Sequence, residues 1–331
     1  MKTRLLIIAL VCLAAGTAFA DVSNEVIVGL EGDSSKEIKQ SVNGVETDLT
    51  GSMKNSHSQF SLSYTKFFDP LKDDNTAIEL RRFLQHPTTL SAGLIAFGAT
   101  EKDSTIPEDM KVNASLLVLG GEYYFPSGTG LFLKIGGGSG TLEDTVSGIK
   151  QPDTDISLGM YDLGIRHYVV PNLALHLAFT GDSSKTKQSG VETTSKTKVT
   201  LLGVEGVIEN LVGLRFEIGG GSRTDEHGTV TDKFDVGQLN FGIGFYAGKQ
   251  LSFRLDLEVE AAKQTGMPSG FEYTESKGRT TLSATYWFSE QFGMQLPIYS
   301  EGTEEKTISP LGENKLTTKN SGIGLYAAFR F

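Results

Sequence analysis

Along most of the chain, apolar residues fall at every second position, the pattern of a strand with one greasy face and one wet face. Leu173, Leu175, Leu177 and Phe179 alternate with Ala174, His176, Ala178 and Thr180. Leu251, Phe253, Leu255, Leu257, Val259 and Ala261 alternate with Ser252, Arg254, Asp256, Glu258 and Glu260, so six apolar residues stand opposite four charges. Weaker versions recur at Leu214–Ile218, Leu239–Phe245, Leu282–Phe288 and Phe292–Ile298. The period predicts fourteen strands, over 23–38, 55–68, 88–102, 111–126, 130–146, 154–171, 173–186, 194–210, 213–225, 231–248, 250–264, 275–289, 292–306 and 316–331. Weak patterning between Ser34 and Ser58 leaves twelve or sixteen open.

The connectors alternate between two classes. Pro171-Asn172, Gly248-Lys249 and Glu290-Gln291 are short, whereas Ser183–Ser195, Gln264–Ser276 and Thr303–Lys315 are long and polar. Short turns at one rim and long loops at the other predict an antiparallel up-and-down barrel that crosses a membrane. Aromatic residues gather beside the short turns: Phe67, Phe68, Tyr123, Tyr124, Phe125, Tyr168, Phe245, Tyr246, Tyr286, Trp287 and Phe288. An interfacial girdle accounts for that placement. One segment departs from period two. Between Asn75 and His86, Ala77, Leu80, Phe83 and Leu84 recur at helical spacing behind a Thr76/Glu79 capping box, and Pro87 stops the run, predicting a short helix in a turn on the periplasmic side. Pro297 predicts a bulge or kink in the thirteenth strand.

Lys2 and Arg4 precede the apolar stretch Leu5–Ala15, and Ala18-Phe19-Ala20 supplies small residues for cleavage, so residues 1–20 read as a signal peptide and 21–331 as one barrel domain. The only cysteine, Cys12, lies in that leader, leaving no disulfide framework in the exported chain. Removing Lys2 and Arg4 from 30 basic residues leaves 28 against 40 acidic ones, a net of -12 that disfavours nucleic acid as a partner. No metal-ligand spacing or phosphate loop is found, so no cofactor is expected.

The last strand sets Ile323, Leu325, Ala327, Phe329 and Phe331 on one face and ends on Phe331. With the leader, the even strand count and the loop asymmetry, it resembles the outer-membrane β-barrel proteins of Gram-negative bacteria, porin-like ones among them. The resemblance implies an all-β fold and residence in the outer membrane. Its implied partners are membrane lipid, lipopolysaccharide and the barrel assembly machinery, which would read Phe329 and Phe331. Oligomeric state is not fixed, with a monomer the working expectation.

By parity the inward face carries Glu122, Lys134, Asp162, Arg166, His176, Glu205, Arg215, Glu217, Arg254, Asp256, Glu258, Glu260 and Arg330. Setting His176 aside, five groups are basic and seven acidic, which predicts a weak preference for cations. Lys134 through Glu260 in that set are the candidate pore-lining residues of a channel for passive diffusion of small hydrophilic solutes or ions, with no chemistry catalysed. Cross-strand bracing of the wall is the alternative role for each. A lipase, deacylase or protease working at the rim, through His176 or His227, and a structural or adhesive barrel are the other functional readings.

Overall fold

The computed structural model describes residues 22–49, 53–74, 76–103, 108–188 and 190–331; the predicted leader and Cys12 lie outside them. Fourteen long strands form one antiparallel sheet that closes on itself. They are β1 (Val22–Val42), β2 (Met53–Leu71), β3 (Thr89–Asp103), β4 (Glu108–Tyr124), β5 (Thr129–Val146), β6 (Thr154–Val170) and β7 (Leu173–Gln188). There follow β8 (Val191–Ile208), β9 (Val212–His227), β10 (Val230–Ala247), β11 (Leu251–Thr265), β12 (Glu272–Trp287), β13 (Phe292–Ser309) and β14 (Gly312–Arg330). Each pairs with the next, and β14 returns to β1 through a register running from Glu25↔Arg330 to Val42↔Asn314. Closure matters because hydrocarbon offers no partner for an unpaired backbone group.

Alternation sorts the two faces as the sequence predicts. Leu133, Leu175, Ile218, Leu255 and Ile298 are exposed on the outside, while Ala174, His176, Glu217 and Ala262 are buried within. A spanning strand needs only about 9–11 residues. These run to 15 or more, so each projects well beyond the bilayer. The long polar outer connections are therefore built largely as paired hairpins. Strands β9 and β10 pair out to His227↔Val230, and β13 and β14 out to Ser309↔Gly312. Pro297 interrupts the ladder without a bulge: pairing of β13 with β14 lapses between Gln295↔Tyr326 and Ile298↔Ile323, and the register is unchanged.

The helix predicted over 75–86 is present but shorter, as a 3-10 turn at Ile78–Leu80 continuing into α1 (Arg81–Gln85). Its capping box does not form. The Thr76 hydroxyl donates instead to Asp74, and Glu79 accepts a bond from the Ser252 hydroxyl of β11. Glu79 is diverted because the turn folds into the barrel rather than away from it.

Candidate functional site: a plugged lumen

Residues 72–74 and 76–88 form a plug across the end of the barrel that carries both the short turns and the carboxyl terminus. The amide of Ile78 donates to Lys249 O at 3.1 Å, in the β10–β11 turn, while its carbonyl accepts from Arg330 of β14 at 3.0 Å. Arg81 is 2% exposed and donates to Glu290 at 2.5 and 3.1 Å, in the β12–β13 turn, and to Asp73 at 3.0 Å. Lys249 closes the cluster on Asp73 at 2.9 Å. On the other side Ala77 and Leu80 pack with Val207 of β8 and Tyr246 of β10. The Phe83 ring lies 5.3 Å from Tyr168 of β6, the His86 ring centroid lies 3.5 Å from the same ring at a tilt of 36°, and Arg82 approaches Glu122 of β4 at 3.7 Å. Contacts thus reach strands on all sides of the mouth.

The plug corrects the reading of the aromatic residues. Phe68, Tyr123, Phe125, Phe245, Tyr286 and Phe288 do face outward and are exposed, as an interfacial girdle requires. Their chain neighbours Phe67, Tyr246 and Trp287 are buried, as is Tyr168, and Tyr124 with them turns inward. Adjacent residues of a strand point to opposite faces. A cluster that looks like one belt is therefore a belt outside and a socket inside.

Above the plug, the inner wall carries a continuous polar row that follows the hydrogen-bonding direction from strand to strand. Arg166 pairs with His176, His176 with Gly203 and Gly203 with Glu217. Glu217 pairs with Asn240, Asn240 with Glu258, Glu258 with Arg279, Arg279 with Glu301 and Glu301 with Asn320. A second row steps beside it through Gln238, Glu260, Lys277 and Thr303. From Gln238 and Asn240 onward the two rows line a trough of about 320 Å³. A larger cavity of about 530 Å³ lies against β1–β6, where Ile27, Ile95, Val118, Phe132 and Met160 meet Lys134, Asp162 and, at the plug, Arg82. Strands β7, β8, β10 and β11 also carry an apolar cluster, Ala178, Val199, Leu201, Phe234, Val236 and Ala262.

All eleven candidate pore-lining residues sit on the inward strand positions, in five groups. Arg166 lies near Glu205 at 3.6 Å and donates to the Tyr124 hydroxyl at 3.2 Å, just above the plug. His176, Glu217 and Arg215 form one network, with Nε2–Oε1 at 2.7 Å and Arg215 donating to both Glu217 oxygens at 2.8 Å. Arg254 clamps Asp256 at 2.7–2.9 Å. Glu258 and Glu260 line the trough, and Lys134 and Asp162 are cross-strand partners in the larger cavity. Asp225, Arg223 and Glu275, Arg279 with Glu31, and Tyr299 with Asp33 extend this wall at 2.7–3.3 Å. All seven lie inside the predicted strands, but their partners across the wall stand on strands two or three apart, which no local pattern reveals. Applying the same parity within those strands would have put them on the inward face. The two rim-enzyme candidates fare differently: His176 is 5% exposed within the wall, and His227 is exposed at the tip of the β9–β10 hairpin.

At the carboxyl end Phe329 is buried against Phe292 with ring centroids 5.1 Å apart, and β14 stops at Arg330. Phe331 closes the seam through its carbonyl, which accepts from the amides of Ser23 and Asn24 at 3.1 and 2.7 Å.

A closed fourteen-stranded barrel with an apolar outer face, a charged inner face and an inserted plug is a β-barrel of the outer-membrane type. Among solved structures it is similar to the P. putida toluene transporter TodX, with a TM-score of 0.57, 11% identity, and 93% of this chain and 90% of that one covered. It is also similar to a Pseudomonas aeruginosa FadL homologue, at 0.56 and 10% over 94% and 91%. The Ralstonia pickettii toluene transporter TbuX follows at 0.52 and 8% over 94% and 90%. At these identities the likeness is one of fold. No protein-family model and no curated protein sequence matches the chain.

Proposed function

We propose that the chain is a gated outer-membrane channel for small solutes, in place of the open diffusion pore that the charged inner face suggests by itself. The observation that carries this is the plug: its residues Arg81, Ile78 and Leu80 are almost fully buried against the wall, so the periplasmic mouth opens only when the plug leaves its socket. A solute arriving from outside meets an amphipathic chamber. The 530 Å³ cavity presents Ile27, Ile95, Val118, Phe132 and Met160, and the trough opposite presents Glu258, Glu260, Lys277 and Arg279. That lining suits a small molecule with an apolar body and a polar end. The fold shared with toluene transporters supports the channel role and favours the apolar part of such a cargo. The charged rows favour a second reading, small hydrophilic solutes or ions moving along the trough.

The test is single-channel recording of the refolded mature chain, paired with uptake into proteoliposomes of an aromatic hydrocarbon, an aromatic carboxylate and a sugar. Wild type should be mostly closed, and replacing residues 73–86 by a short glycine-serine linker should open it lastingly. A wild type that conducts continuously, or a linker variant that stays sealed, defeats the gated reading. Faster uptake of the sugar than of both aromatics would select the hydrophilic cargo.

A further inference from the structure

We infer that Lys185, Lys196 and Lys198, on the outer surface of β7 and β8, form a docking site for the phosphate groups of an anionic saccharolipid in the outer leaflet. The faces are fixed by parity. Thr197 and Val199 are buried in the wall, so Lys196 and Lys198 between and beside them point outward, and both are exposed. On β7, Lys185 shares the parity of Leu177 and Phe179, which are exposed in the apolar belt.

Height places the three lysines at the headgroups. Strand β8 ends on the periplasmic side at Ile208 and β7 begins there at Leu173. With about 3.3 Å per residue and a tilt of about 40°, Lys198 rises roughly 25 Å from that end, and Lys196 and Lys185 roughly 30 Å. The apolar band of such a barrel is about 25 Å tall. Tyr161, packed over Gly181 on the same face, marks the boundary as an interfacial ring.

The three ammonium groups are compact and reachable. Lys196 and Lys198 are two apart on one strand, and Lys185 pairs with Thr194, diagonal to Lys196. Their other cross-strand partners are small: Ser157, Ser183, Gly181, Thr224 and Ser222. Glu192 holds Lys185 at 2.7 Å and Glu226 approaches Lys196 at 3.9 Å, both nearer the hairpin tips. The bilayer side of the cluster is left cationic. Long lysine stems lie along apolar surface with the charge at the wet edge, the posture needed to meet a phosphate at the membrane surface.

The experiment uses the refolded mature chain in detergent with bisphosphorylated lipid A, or the same lipid dephosphorylated, and counts retained lipid by native mass spectrometry. Wild type should retain the phosphorylated form at least about tenfold better, and the triple variant Lys185→Gln, Lys196→Gln, Lys198→Gln should lose most of that preference. Lys306→Gln, Lys315→Gln, Lys319→Gln, an equal charge change on β13–β14, should keep it. Heat-modifiable gel migration checks that each variant is folded. Equal retention of the two lipids, an unchanged triple variant, or equal loss in the β13–β14 variant overturns the proposal. So does displacement by millimolar inorganic phosphate, which would make the cluster a plain anion site.

Discussion

His176 of β7 and Glu217 of β9 share a hydrogen bond of 2.7 Å although β8 runs between them. The residue of β8 that pairs with both is Gly203, and a Cβ there would lie 2.3 Å from the His176 ring and 2.8 Å from Glu217. The glycine is therefore a window through which two buried polar groups satisfy each other. Arg215 at 2.8 Å and Asn240 at 2.8 Å complete the carboxylate's shell. Gly203→Ala should force the pair apart and cost about 1–3 kcal/mol. Urea unfolding of the detergent-folded chain reads this, and stability equal to wild type would show that the network repacks around the methyl group.

The plug should loosen in acid. Burial alone would raise the Asp74 carboxyl, but hydrogen bonds from Thr76 and Gln85 outweigh it and hold it below the usual range. Burial pushes the His86 imidazole down. Both groups are depressed in the docked plug, so each contributes stability above its free value, about 3.9 for Asp and 6.5 for His, that is lost as pH falls. Open probability should rise first below about pH 6.5 through His86 and again near pH 4 through Asp74. A flat profile between pH 7 and 3 would remove both groups from the docking energetics.

Charge in the trough should set ion preference. Glu258 and Glu260 face it with Lys277 and Arg279 as their cross-strand partners. Glu258→Gln with Glu260→Gln, made in the plug-linker background, should shift the reversal potential in a salt gradient toward anions without lowering stability. No shift would assign these carboxylates to bracing the wall.

The outward face tolerates no charge at mid-bilayer. Leu255→Arg should destabilise the folded barrel by roughly 2–4 kcal/mol, whereas Asp256→Asn, one residue on and inward, loses only its bonds from Arg254, worth about 1–3 kcal/mol. Equilibrium folding into lipid vesicles compares the two. Equal small effects would mean that Leu255 does not face lipid.

We propose that the terminal aromatic serves assembly rather than stability, as its resemblance to outer-membrane signatures implies. Phe331 holds the seam through its backbone carbonyl, which any residue supplies. Phe331→Ala should cut the outer-membrane yield several-fold while the refolded variant keeps wild-type unfolding. A matching loss of stability in vitro would reassign the ring to the seam.

Alternation is a local property, so the sequence alone determined the barrel, its lipid-facing set from Leu173 to Phe179 and Leu251 to Val259, and the inward placement of all eleven polar candidates. It also exposed the one helical interruption near Ala77–Leu84. The direction that segment takes was not legible, because Glu79 meeting Ser252 and Arg81 meeting Glu290 depend on strands more than 170 residues away coming round to close the mouth. Register is equally collective: only the closed sheet decides that Gly203 lies between His176 and Glu217, or that Arg279 reaches Glu31. A period of two names the face of each residue but not its neighbour, since sliding a strand by two positions preserves every face and changes every partner.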